Sequence, residues 1–111
     1  MKYSKADLVL INFPFSDLSS IKPRPALVIK DLSEYDILVA QITTKINPNF
    51  EHYEIFLKTK DYNNSLRTDS IIRCDQLFTL DKNLIIKKLG FISSKSVISE
   101  VFSKLKVMLF D

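Results

Sequence analysis

Glycine is nearly absent. The 111-residue chain has one, Gly90. Phosphate-binding loops need several glycines for the backbone to close around an anion, so that class of nucleotide enzyme is excluded. Cysteine and histidine also occur once each, as Cys74 and His52. An internal disulfide is impossible, and so is a zinc site of the usual Cys/His spacing. No apolar run approaches the roughly 18 residues of a membrane helix. The N-terminal stretch "MKYSKADLVLINFPF" is interrupted by Asn12 and Pro14 and has no small-residue cleavage site, so no secretory signal is expected. A lone thiol fits a reducing cytoplasm.

What is present is enough for one folded domain, expected to span residues 1–111. Apolar residues make up 46%, with eight Phe and four Tyr, and charged residues 26%. That balance supports a core and argues against disorder. The net charge of +3 permits a polyanionic partner and does not require one.

Short apolar runs separated by polar turns dominate the first 80 residues. Strands are expected at 7–13, 25–30, 37–43, 53–57 and 70–80, the third central because it is almost wholly apolar. The long fifth strand is expected to bulge near Asp75 and Gln76. A helical turn and a small strand ending at Gly90 follow. Only the end of the chain has helical periodicity. Val97, Ile98, Val101, Phe102, Leu105, Met108 and Leu109 fall on one stripe, with Ser93 or Ser94 as cap. Strands first and one helix last, with no alternation, predict a small, mostly antiparallel barrel with a C-terminal helix packed on it.

Within "SIKPRPALVIK", residues 20–30, Arg24 stands between two prolines. The chain has three arginines against thirteen lysines. Pro23 and Pro25 fix their own φ near −65°, and Pro25 keeps Arg24 out of the helical region. The guanidinium is thus mounted on a stiff, extended segment, suited to a phosphate clamp. The plainer reading is a surface arginine on an edge strand, paired with Asp17 or Asp31. Cys74 with His52 is a nucleophilic pair on paper only, because Cys74 sits in an apolar strand and reads as an inert buried thiol.

The stretch "INFPFSDLSSIKPRPALVIK" resembles the MazF/PemK family of type II toxin–antitoxin ribonucleases. That family opens with an apolar strand, a polar loop and an Arg-Pro-Ala-Leu-Val strand. The likeness continues in "VAQITTKI" and "RTDSIIRCDQLFTLDK", and so covers nearly the whole chain. One departure stands at Ala6-Asp7, where the family usually has Gly-Asp; it bears on a backbone turn that glycine makes freely. The resemblance implies an SH3-like, plasmid-maintenance-toxin barrel, usually a homodimer. It implies an endoribonuclease that cuts single-stranded RNA and is neutralised by a cognate antitoxin protein. The family's catalytic arginine matches Arg24. Its catalytic Thr/Ser matches Thr43, with Thr44 as the alternative register. The implied RNA-binding positions are Ser16, Asp17, Ser19, Ser20 and Lys22 in the first loop, then Thr44, Lys45 and Gln76. Asp69 and Ser70 match the same later segment and read as mainly structural.

No carboxylate cluster points to a metal, and no cofactor is expected. A ribonuclease without metal can use the substrate's own 2′-OH, leaving a 2′,3′-cyclic phosphate and a free 5′-OH. The protein then supplies charge stabilisation and proton transfer. Arginine stays protonated in proteins, so Arg24 does not serve as the base. Asp17, Glu34 and His52 remain as candidates on loops. Phe15, Phe50, Tyr53 and Tyr62 are candidate base-stacking rings, and Lys22, Lys45 and Lys60 candidate phosphate contacts. A non-catalytic barrel toxin that docks on a protein such as gyrase, or a module that binds nucleic acid without cutting it, is the alternative.

Overall fold

The computed structural model describes residues 2–13, 23–44, 53–58, 62–63 and 69–111, with the backbone alone at Tyr62 and Asn63. Seven strands form one sheet: β1 (Asp7–Ile11), β2 (Arg24–Asp31), β3 (Asp36–Thr43), β4 (Glu54–Leu57), β5 (Tyr62–Asn63), β6 (Ser70–Asp81) and β7 (Ile85–Ile92). Their order is β4-β6-β3-β2-β1-β7-β5, and every neighbouring pair is antiparallel. Helix α1 (Lys95–Phe110) closes the chain.

Strand alternation sorts the apolar residues onto two faces. On one face Leu8, Leu27, Ile29, Ala40, Ile42, Ile55, Leu57, Ile72 and Cys74 pack with Val97, Val101 and Leu105 of α1. Residues 97, 101 and 105 recur at four-residue spacing, which is why one helical stripe covers this face. The Ser94 hydroxyl accepts from the Val97 N–H at 3.3 Å and caps the helix. The stripe overshoots: Leu109, read as part of it, is exposed together with Val107 and Phe110.

On the other face Val9, Ile11, Phe13, Ala26, Val28, Ile37, Val39 and Leu80 form a second core without the helix. The sheet buries this face by curling over it. Phe13, just beyond β1, meets Phe78 of β6 edge-to-face with centroids 5.3 Å apart. In a flat sheet two strands, β3 and β2, would separate them. The expected barrel is therefore a curled sheet with β4 and β5 at its ends.

Three details differ from the sequence expectation. The segment 62–63, read as loop, pairs with β7 as a short strand. The last strand is longer than a small strand ending at Gly90 and runs through it to Ile92. Pro25 is the second residue of β2, opposite Leu10, and Arg24 the first. The bulge in β6 is where the sequence put it. Gln41 faces Arg73 while its neighbour Ala40 faces Leu77, so 74–76 are extra on the β6 side.

Ala6, in the place of the family's glycine, has φ 81°. Its N–H donates to the Val28 carbonyl at 3.0 Å and its carbonyl accepts from the Ile92 N–H at 2.9 Å. The turn ties β2 to β7, and both bonds hold a left-handed backbone that a Cβ makes unfavourable by about 1 kcal/mol.

Candidate functional site

Arg24 opens β2 and is exposed. Ala26 faces Gln41 and Leu27 faces Ala40. The same antiparallel register, carried two residues outward, sets Arg24 across from Thr43 at the end of β3. Both belong to the face that the helix leaves uncovered, because Arg24 alternates in phase with Ala26 and Val28, and Thr43 with Ile37 and Val39. The two residues expected to act in catalysis therefore lie at the same end of two adjacent strands.

The cross-strand rows extend this face. One row runs Phe56 (β4), Ile71 (β6), Thr43 (β3). The next runs Glu54 (β4), Arg73 (β6), Gln41 (β3), Ala26 (β2). Arg73 is thus one strand from Gln41 and on the same side as Arg24. Its guanidinium grips Asp75, Nη2 to Oδ2 at 2.9 Å and Nε to Oδ1 at 3.3 Å. The i, i+2 spacing of "RCD" puts both side chains on one side of β6. Arg73 is 15% and Asp75 27% exposed, so the pair is partly shielded and still reachable. Beside it lies Glu54, half-buried. Its Oε1 is sealed from water and has no hydrogen-bond partner among the described residues. Leaving a buried acceptor unsatisfied costs about 1–3 kcal/mol.

Sequence reasoning passed over Arg73, Asp75 and Glu54. A signal for the first pair was present: arginine is scarce, and "RCD" is a strand dipeptide spacing of opposite charges. No local signal marks Glu54, because its position depends on which strand β4 joins.

The other assigned residues divide. Thr44 is exposed just past β3, and Gln76 is half-buried within the bulge. Asp69 is exposed before β6, and Ser70 is buried at its start. Ser16, Asp17, Ser19, Ser20, Lys22 and Lys45 lie outside the described residues, as do His52, Phe15, Phe50 and Lys60. Tyr53 packs toward the helix-side core.

Two plain readings are corrected. β2 is an inner strand between β3 and β1, so Arg24 is not on an edge. Asp31 is no partner for it, since it closes the far end of β2 and binds Lys82 Nζ at 2.6 Å and the Tyr3 N–H at 2.8 Å. The Lys82 contact, then the Tyr3 N–H, hold its carboxyl below the ordinary carboxylate range. Glu34 sits in the β2–β3 turn at that same far end, which removes it as a base for a phosphate held at Arg24. A cleft of about 500 Å³ opens there, lined by Lys2, Tyr3, Asp31, Ser33, Glu34 and Lys82. It shares no residue with the Arg24 cluster. Cys74 is fully buried, and burial, then the neighbouring Asp75 carboxylate, push its thiol up to about 12. Among the described residues no group of three or more His, Cys, Asp or Glu is placed to hold a metal ion. None of their helices is long and apolar enough to cross a membrane.

These features define a class: a curled antiparallel sheet with one C-terminal helix, and Arg24 and Thr43 at one end of two neighbouring strands. The sequence profile of the PemK-like, MazF-like toxins of type II toxin–antitoxin systems matches residues 4–109, and the chain belongs to that family. Solved structures agree in fold. An endoribonuclease in complex with its cognate antitoxin, from a mycobacterial species, superposes with a TM-score of 0.75 at 12% identity, covering 97% of this chain and 95% of that one. The Mycobacterium tuberculosis toxin MazF-mt6 gives 0.71 at 17% identity, covering 91% and 93%. Another mycobacterial endoribonuclease gives 0.68 at 15%, covering 95% and 88%. No curated protein sequence matches the chain.

Proposed function

We propose that the protein is a sequence-selective endoribonuclease toxin that cuts single-stranded RNA without a metal and is held in check by a cognate antitoxin. It acts in the cytoplasm as a homodimer. Family membership supports the toxin role, and the endoribonuclease neighbours support the activity. The observation that supports the chemistry is that the β2–β3 register, carried two residues past Ala26 and Gln41, sets Arg24 opposite Thr43 on the face away from the helix, with Arg73–Asp75 on the same face.

In this reading the phosphodiester lies across the ends of β2 and β3. Arg24 donates two hydrogen bonds to its non-bridging oxygens, and the Thr43 hydroxyl donates a third as charge builds on them. The 2′-oxygen attacks phosphorus and the bond to the 5′-oxygen breaks. Asp75, oriented by Arg73, takes the 2′-OH proton; a carboxylate has about four acceptor positions and Arg73 uses two. The 5′-oxygen leaves and is protonated from solvent. The products are a 2′,3′-cyclic phosphate and a 5′-OH.

The test is purified protein with mixed RNA in EDTA, followed by chemical mapping of the new ends. Cyclic phosphate and 5′-OH ends are expected; 5′-phosphate ends, or cutting that EDTA abolishes, would sink the mechanism. The exposed end of α1 favours a second reading, a toxin that docks on a protein. Phe110 is 80% exposed beside Val107 and Leu109. Growth arrest with intact RNA, lost on changing these residues and kept in Arg24→Ala, would select it.

A further inference from the structure

Phe56 and Glu54 are set apart from the rest of β4. Ile55 and Leu57 point into the helix-side core and are buried, whereas Phe56 on the opposite side is 60% exposed. An aromatic ring there adds little to the fold. β4 is also an end strand of the sheet, paired only with β6 among the described residues. Phe56 shares its cross-strand row with Ile71 and Thr43, so it lies two strands, about 10 Å, from the Thr43 backbone. Glu54 is two residues before it on the same side, about 7 Å along the strand. One Glu54 oxygen is buried without a donor among the described residues, and the donors of a base stacked on Phe56 would satisfy it once the side chain turns outward.

We propose that Phe56 and Glu54 form a subsite for a guanine base of single-stranded RNA, next to the phosphate at Arg24 and Thr43. The proposal rests on the ribonuclease reading for the placement of that phosphate. Phe56 supplies the stacking surface, which any base can use. Glu54 supplies the selection. A carboxylate offers two acceptors and no donor. Guanine alone presents two adjacent donors, N1–H and N2–H2, on its Watson–Crick edge. Adenine and cytosine pair one amino donor with a ring-nitrogen acceptor, and uracil sets one N–H between two carbonyls. The second carboxylate oxygen therefore repels each of the other three bases.

The experiment is fluorescence anisotropy with fully 2′-O-methylated oligonucleotides, which cannot be cut, placing G, inosine, A, C or U at each position in turn. At one position wild type is expected to bind guanine about fivefold to a hundredfold tighter than inosine, which lacks the N2 amino group. Glu54→Gln should erase that ratio, read as a ratio because losing a negative charge raises affinity for every oligonucleotide. Phe56→Ala should weaken all of them about fivefold to a hundredfold, and Phe56→Tyr should restore binding. The exposure of Phe56 keeps these variants folded, checked by thermal melting. No guanine preference in wild type, or one unchanged in both Glu54→Gln and Phe56→Ala, overturns the subsite even if the RNA is cut as proposed. A preference carried by these residues in a protein that cuts no RNA upholds the subsite and overturns the ribonuclease reading.

Discussion

Strand β2 begins at Arg24 and ends at Asp31. At the Asp31 end the charges are matched within the fold. Lys82 and the Tyr3 N–H both engage its carboxylate, and the Ser33 hydroxyl accepts from the Tyr35 and Asp36 N–H groups to close the turn. At the Arg24 end the guanidinium is exposed, Glu54 keeps an unpartnered oxygen, and an aromatic ring lies open on the same face. A cleft alone would have pointed to the Asp31 end. Chemistry points to the other, where an exposed guanidinium and a partly shielded carboxylate share one face.

The largest expected effect that tests this contrast is at Arg24. Arg24→Ala should lower RNA cleavage about 10²–10³-fold. Stability should stay within about 0.5 kcal/mol in urea denaturation, as for an exposed residue. Arg24→Lys keeps the charge and loses the fork, so most activity should still be lost. A variant that cuts like wild type would break the comparison at its active end. Asp75→Asn comes next, with cleavage falling about a hundredfold and RNA binding kept, as expected of a proton acceptor.

The remaining tests concern the matched end and the turn that supports it. Ala6→Gly should raise stability by about 1 kcal/mol, read as a higher urea midpoint, because glycine accepts the positive φ that alanine resists. Unchanged cleavage would show that the turn only holds strands together. Asp31→Asn should give the smallest effect, and it should depend on pH. The Asp31 carboxyl is held below its ordinary range in the fold, so its ion pair stabilises fully above that range and is lost as pH falls. Wild type and variant should differ at pH 7, and the difference should shrink only as pH falls below the ordinary carboxylate range, through the lowered Asp31 value. A difference that persists in acid would mean that Asp31 acts through packing rather than charge.

Much of the fold was legible along the chain because its signals are local. Short apolar runs between polar turns marked β1 to β4 and β6, helical spacing marked α1, and the polar residues around Asp75 and Gln76 marked the bulge. The stiff Pro-Arg-Pro segment and the threonine ending β3 were legible for the same reason: each depends on neighbours in sequence. Resemblance then joined them into a candidate site. Local pattern failed at 62–63, where two residues become a strand only because β7 offers an edge to pair with.

The amino-acid sequence by itself determined the order of strands and helix, the stiffness around Arg24, and the residues with chemistry to offer. Only the tertiary structure decided which of them share a face. Side chains alternate with a period of two, so a one-residue change in register sends a whole strand's set to the other side. Register is set by long-range pairing and by the bulge in β6. That pairing put Arg73, Asp75 and Glu54 on the face of Arg24, gave Asp31 to Lys82, and left Glu34 at the far end of the sheet.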